Sequence, residues 1–410
     1  MRAKPAKQLP FVRGESKSAP IPSGLEERLI ALRRDLHRHP ELSSLEKRTS
    51  SALVRELESL SPSRIECVAG TGVVVRIAGR RASAPSVAIR GDIDALPIHE
   101  ATGLPFASEN PGVMHACGHD VHATWTVGAA ALLAAQPADG DVVIVLQPAE
   151  ETGEGALAVL ESGALDGVRA IFGGHVDRRF LVGQVIAQAG PIAASADNFD
   201  IELLGRGAHG ARPHESADPI VGMAALITSL QTIVSRSVNP ALPAVVTVGV
   251  VSAGTAPNVI PDRATVRGTL RATDDATRAL LQAEVRNITE HVAAAHKLEA
   301  RVTIGSGVPP VINSEEAAGW AREAATATLG PDAVVPLGAA NMAAEDFAWY
   351  LQKIPGCFLR FGARRAGEAV IPAHSPNFDV AEDAILVGAR VLAGCARRAS
   401  AALSKGGAAA

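Results

Sequence analysis

Met114-His115-Ala116-Cys117-Gly118-His119-Asp120-Val121-His122 packs three histidines, one cysteine and one aspartate into nine residues. Cys117 and His119 stand two apart, so they do not share a helical face. On an extended or looped segment they would point the same way. A thiolate and an imidazole presented together suit a divalent metal of borderline softness. An isolated Cys-x-His is also what a packed cysteine beside surface histidines looks like, since free cysteine is commonly buried. A second candidate, Gln147-Pro148-Ala149-Glu150-Glu151, follows the apolar run Asp141–Leu146. Adjacent carboxylates repel unless cations share them. One can then bind metal while the other takes a proton from water. A solvated acidic turn is the alternative for a bare Glu-Glu pair.

Three more candidates follow apolar runs: His175 after Ala170–Phe172, Asp92 and Asp94 after Val87–Ile89, and His374 after Cys357–Phe361. Each is expected just beyond the carboxyl end of a strand, where open α/β sheets bind ligands. Farther along, Gly205-Arg206-Gly207-Ala208-His209-Gly210 is a glycine-rich loop with unusual backbone demands. His209 there could donate to a carbonyl oxygen gaining negative charge, or be one of two exposed loop histidines. Asn258, between Pro257 and Pro261, could hold a substrate carboxylate or close an Asx-turn. His37, His39 and His99 invite no chemistry, with His37 expected at a helix end beside its dipole.

The elements that must position these groups follow from periodicity. Leu25, Leu29, Leu32 and Leu36 predict a helix over 25–37, and a second is expected over 46–60. Strands are expected at 72–77, 87–90, 141–147 and 170–172, with an alanine-rich helix at 120–135. This alternation predicts an α/β domain with a largely buried sheet. The stretch 196–306 differs. Strands at 198–205, 244–251, 264–271 and 298–305 and helices at 218–236 and 273–296 give the β-α-β-β-α-β order of a ferredoxin-like unit. Afterwards the first pattern returns, with helices at 315–329, 345–351 and 382–396 and a strand at 357–361. A catalytic domain made of 25–195 and 307–400 is therefore split by an inserted domain at 196–306. Residues 1–24 read as a disordered leader and 401–410 as a flexible tail.

A chain of 410 residues suits two or three domains. Its net charge of −4 and 3% aromatic residues argue against nucleic-acid and membrane-surface partners. The ferredoxin-like order carries no aromatic ribonucleoprotein motif. Four scattered cysteines form no disulfide framework, which predicts a reducing, cytoplasmic setting. The leader has no apolar core of a signal peptide. The longest uncharged run, 237–261, is broken by prolines, so no transmembrane helix is expected.

The motifs taken in order are Asp35–Ser43, Gly91–Pro97, His115–His122, Gln147–Glu151, Gly207–His214, Asn258–Asp262 and His374–Pro376. Together they resemble the amidohydrolase branch of the aminoacylase and carboxypeptidase metallopeptidase family. That branch includes hippurate hydrolases, N-acyl-amino-acid amidohydrolases and auxin-conjugate hydrolases. The resemblance covers residues 25–396. It implies a two-metal catalytic domain and an inserted lid domain that commonly makes a homodimer or a higher homo-oligomer. It implies metal ligation by Cys117, His119, Glu151, His175 and His374, with Glu150 as general base. His209 would be a lid histidine that often completes a neighbouring subunit's site, and Asn258 a lid residue near the substrate carboxylate. Asp92 and Asp94 would orient the ligands. The ions could be zinc, manganese, cobalt or nickel. The expected reaction is hydrolysis of an N-acyl-amino acid. The rivals are a metallo-exopeptidase acting on dipeptides and a non-catalytic amide-binding protein. Ala373 departs from the second histidine found before His374 in many relatives, a change that removes no ligand.

Overall fold

The computed structural model describes residues 21–338 and 340–406. The leader and tail expectations therefore fall largely outside the described residues, except that 401–406 continue the last helix.

Leucines at helical spacing form the buried stripe of α1 (Leu25–Arg38), and Ala52, Leu53 and Leu57 do the same for α2 (Lys47–Glu58). There follow β1 (Arg64–Val68), β2 (Gly72–Ile77), β3 (Ser86–Asp92), α3 (His119–Ala135), β4 (Val142–Gln147), α4 (Gly155–Glu161), β5 (Val168–Leu181) and β6 (Val185–Ile186). The chain departs through β7 (Gly190–Ala193) into β8 (Asp197–Leu204), β9 (Ala208–His209), α5 (Pro219–Thr232), β10 (Ala244–Ala253), β11 (Val259–Ile260), β12 (Arg263–Ala272), α6 (Asp275–Ala295) and β13 (Glu299–Ile304). It returns through β14 (Val311–Asn313), which pairs with β7, then α7 (Glu315–Leu329), α8 (Ala348–Leu351), β15 (Gly356–Arg364) and α9 (Asp383–Gly406).

Two compact units result, one of 1–190, 313–338 and 349–410 and one of 191–312 and 339–348. The sequence set the edges of the insert at 196 and 306 and did not join 339–348 to it. That segment is tied in by backbone, since the Ala194 N–H donates to the Asn341 carbonyl at 2.9 Å.

The first unit holds a seven-stranded sheet in the order β1-β2-β4-β3-β5-β15-β6, with β4, β3, β5 and β15 parallel. All six residues of β4 are buried, the near-continuous apolar run expected of a covered parallel strand. Helix α3 packs on α1, α9 and β3, and buries nearly its whole circumference. The second unit is an antiparallel sheet, β10-β12-β8-β13, with α5 and α6 packed on it and its own apolar core. This is the β-α-β-β-α-β order read from the sequence.

Three expectations change. Strand β5 runs to Leu181 rather than stopping at Phe172, because its parallel pairing with β15 continues past the apolar segment. Helix α9 runs past Ala396: the Arg397 guanidinium donates to the Leu132 and Gln136 carbonyls at the end of α3, and Ser400 accepts from the Gly140 N–H. The helix expected at 345–351 is only α8. In addition, Pro219–Ser237 is long and apolar enough to cross a membrane by length and composition, with a mean hydropathy of 1.3 in its most apolar window. Gly222, Leu226 and Leu230 of that stretch are buried within the second unit.

Candidate metal centre

The first unit gathers the five expected ligands. Cys117 and His119 sit on a turn and at the first position of α3, not on an extended segment. Gly118 between them has φ 93°, and a Cβ there would lie 2.6 Å from Val176. Only glycine meets both demands. Cys117 Sγ lies 3.2 Å from His175 Nε2. His175 stands within β5, paired with Arg360 of β15, so its place is mid-strand rather than beyond a strand end. Glu151 follows β4, with Oε1 3.9 Å from His119 Nε2 and 3.5 Å from His374 Nε2. Donor atoms of Cys117, His119 and His175, and of Cys117, Glu151 and His374, lie within 4.8 Å of one another in each set.

The hydrogen bonds decide which atoms face this cluster. The His119 Nδ1–H donates to the Asp94 carbonyl at 2.9 Å and the Asp94 carboxylate at 3.1 Å. The His175 Nδ1–H donates to the Val176 carbonyl at 2.7 Å. Each arrangement leaves Nε2 with a lone pair turned to the centre, the usual tautomer of a ligating histidine. His122 is spent otherwise: its Nδ1–H donates to Asp92 at 2.7 Å and its Nε2 accepts from the Val176 N–H at 3.0 Å. Asp92 therefore acts on His122 and, through it, on the backbone beside His175. Asp94 also accepts from the Glu151 N–H at 3.0 Å and from the Ser43 hydroxyl at 2.7 Å.

Two residues of the centre have left-handed backbones that side chains disfavour: Ala149 at φ 54° and His374 at φ 67°. The His374 N–H donates to the Ala116 carbonyl at 2.8 Å, tying its loop to the Cys117 turn. Its side chain is 54% exposed, against 1% for His119 and 14% for Glu151. Glu150 Oε2 lies 3.8 Å from His119 Nε2.

Whether the residues suit a cation is decided by their orphans. His119 Nε2 and Glu151 Oε1 are buried without a hydrogen-bond partner, and sulfur, nitrogen and carboxylate donors converge on them. Burial, the largest influence on the Cys117 thiol, pushes its pKa far up. A divalent cation in contact would remove that proton outright. Burial alone would lower His119, but Asp92 and Asp94 outweigh it and raise it. This set fits divalent ions of borderline softness.

His209 and Asn258 belong to the second unit, not to this cluster. They are neighbours there: β9 pairs with β11, and the Gly210 N–H donates to the Asn258 carbonyl at 2.8 Å. His209 is exposed and lines an open cavity of about 590 Å³ with Gly254, Thr255, Ile260 and Arg263. Its Nδ1 accepts from the Ala211 N–H at 3.0 Å, which leaves the ring proton on Nε2.

Sequence reading missed a buried ion network behind the centre. His37 is not a surface histidine at a helix end: it is 1% exposed, with Nδ1 2.8 Å from Asp120 and Nε2 3.3 Å from Glu100. Arg33, equally buried, bonds Asp120 at 2.8 Å and Asp379 at 2.9 Å. Both polar residues lie one turn apart on α1 among leucines, and nothing local marks them as inward-facing.

Comparison with known proteins agrees with this geometry. The model of peptidase family M20/M25/M40 matches residues 88–398. N-acetyl-L-cysteine deacetylase of Bacillus subtilis is 42% identical over 92% of this chain and 89% of its own length. IAA-amino acid hydrolase ILR1-like 2 of Arabidopsis thaliana is 37% identical over 90% of this chain and 84% of its own. The crystal structure of the Bacillus subtilis YXEP protein, described as a dinuclear metal binding peptidase from the M20 family, superposes with a TM-score of 0.82. It is 38% identical, covering 92% of this chain and 99% of that one. The chain thus belongs to peptidase family M20/M25/M40, in its amidohydrolase branch, and is a metal-dependent amidohydrolase.

Proposed function

We propose that the enzyme hydrolyses the amide bond of N-acyl-amino acids, releasing a carboxylic acid and a free amino acid. The observation that carries this reading is the pair of orphaned ligand atoms, His119 Nε2 and Glu151 Oε1, beside the carboxylate of Glu150. Cys117, His119, Glu151, His175 and His374 would hold two divalent ions, with Cys117 shared because it stands in both donor sets. Bound there, the ions supply Lewis acidity toward the carbonyl and make water acidic enough to react at neutral pH. Glu150 takes the proton of the attacking water and returns it to the leaving amine. The Nε2–H of His209 donates to the oxygen on which charge develops, a contribution worth about 10²–10³ in kcat when removed elsewhere. Asn258 offers its amide to the substrate carboxylate. Sulfur, nitrogen and oxygen donors admit zinc, manganese, cobalt or nickel. Relatives named for N-acetylcysteine and for amino-acid conjugates of an acid both point to amides of amino acids.

A homodimer through the second unit belongs to the same proposal. Strand β10 is an edge of its sheet, and Val250 and Val251 on it are exposed.

The test is a panel of acetyl, benzoyl, long-chain and indole-acyl amino acids, set against free dipeptides, with each metal supplied in turn. Glu150→Gln should lose at least about 10³-fold in kcat while keeping its metal. Turnover of dipeptides alone would favour the exopeptidase, and no turnover with any metal would favour an amide-binding protein.

A further inference from the structure

Glu46, at the start of α2, is a carboxyl group with no exposed surface. No arginine, lysine or histidine pairs with it among the described residues. Burying such a group is unfavourable unless its oxygens are fully used. One oxygen accepts from the Thr71 hydroxyl at 2.5 Å. The other accepts from the backbone N–H of Ala149 at 2.9 Å, 103 residues away in sequence. Ala149 is the left-handed residue immediately before Glu150, at φ 54°. An L residue holds that conformation only where its surroundings over-determine it. The rest of the clamp is visible: the Ala149 carbonyl accepts from the Thr152 hydroxyl at 3.1 Å and the Gly155 N–H at 3.2 Å. On the far side of Glu150, the Glu151 N–H donates to Asp94 at 3.0 Å. The peptide groups before and after Glu150 are thus each gripped by a buried carboxyl group.

We propose that Glu46 is a positioning residue for Glu150: by accepting from the Ala149 N–H it holds the backbone that aims the Glu150 carboxylate, without touching substrate or metal. The inference rests on the reading of Glu150 as general base. Displacing a reacting group by about 1 Å can cost ~10²-fold in rate.

Four variants, reconstituted with metal and assayed on an N-acyl-amino acid, test it. Glu46→Ala should lose about 10²-fold in kcat, with KM within about threefold and bound metal unchanged. Glu46→Gln should recover most of that loss, since its carbonyl oxygen still accepts from Ala149 and its amide can donate to Thr71. Should Glu46→Ala fail to fold, Thr71→Val keeps the test open, with an expected fall of about tenfold in kcat. A folded, metal-loaded Glu46→Ala or Thr71→Val with wild-type kcat overturns the proposal, as does a Gln variant no better than Ala. Glu150→Gln separates the two readings. If it stays active, the assignment of the base fails. If it is inactive while Glu46→Ala turns over normally, only the positioning role fails.

Discussion

His37 lies between the carboxylates of Asp120 and Glu100 with both ring nitrogens engaged. Burial would lower its pKa, yet its bond to Asp120 outweighs that and raises it above the ordinary value. Burial likewise opposes the shift of Glu100, but the bonds from His37, Thr102 and Ser108 hold it down at about 2. The signs set a pH window. The Glu100 contribution is complete above about pH 4.5 and is lost as pH falls toward 2. The His37 contribution is complete below about pH 6.5 and is lost as pH rises through its raised value. Glu100→Gln should therefore lower the thermal midpoint most near pH ~5–6, and the gap to wild type should close as pH falls from about 4.5 to 2. A gap that stays constant across that range would mean the pair does not stabilise the fold. At this scale the sequence was unevenly legible. Cys117, His119, Glu150 and Glu151 announced themselves because unusual residue types crowd together. Glu46, Arg33 and His37 did not, because a lone charged residue on a helix looks solvated until its partner, some 60 to 100 residues distant, is known.

Helix α3 carries the centre on its first turn and must sit rigidly to do so. Trp125 wedges it in place, stacked on His122 at 4.7 Å between ring centres and packed on Phe361 at 4.8 Å. Across from it, Gly388 lets α9 approach so closely that an added Cβ would lie 2.3 Å from the indole. Gly388→Ala should thus destabilise the protein by about 1–3 kcal/mol through overpacking. Urea unfolding followed by tryptophan fluorescence measures this, and an unchanged midpoint would show that α9 yields freely. Elements were legible where an apolar run or stripe was continuous, as in β2, β4 and α7. They were not where pairing rather than hydrophobicity continues the strand. In the outer part of β5, Asp177 and Arg179 bond to each other at 2.6 Å, and the polar residues disguise a strand still paired with β15. Strand β1, with Arg64 exposed, was invisible for the same reason.

Each unit keeps its own apolar core, and the alternation of patterns along the chain was enough to reveal the division. What the pattern could not supply was the membership of 339–348, which follows from backbone bonds and not from composition. The edge of the second unit offers the test of assembly. An unprotected apolar edge strand invites pairing, and β10 shows Val250 and Val251 at 53% and 50% exposure. Val251→Lys should convert a dimer to a monomer in sedimentation equilibrium while the first unit still binds metal. A wild-type protein that sediments as a monomer would remove the dimer from the proposal.

The position of β15 has a consequence for biosynthesis. It lies between β5 and β6, so the large sheet has a missing strand until residues 356–364 leave the ribosome. The second unit's core residues all fall between 199 and 298, in one uninterrupted stretch that emerges first. At about 5–20 residues per second, the roughly 100 residues that follow take ~5–20 s to make. For that interval the nascent chain carries a finished insert within an open host, and the unfilled edge of β5 is the surface most in need of a chaperone.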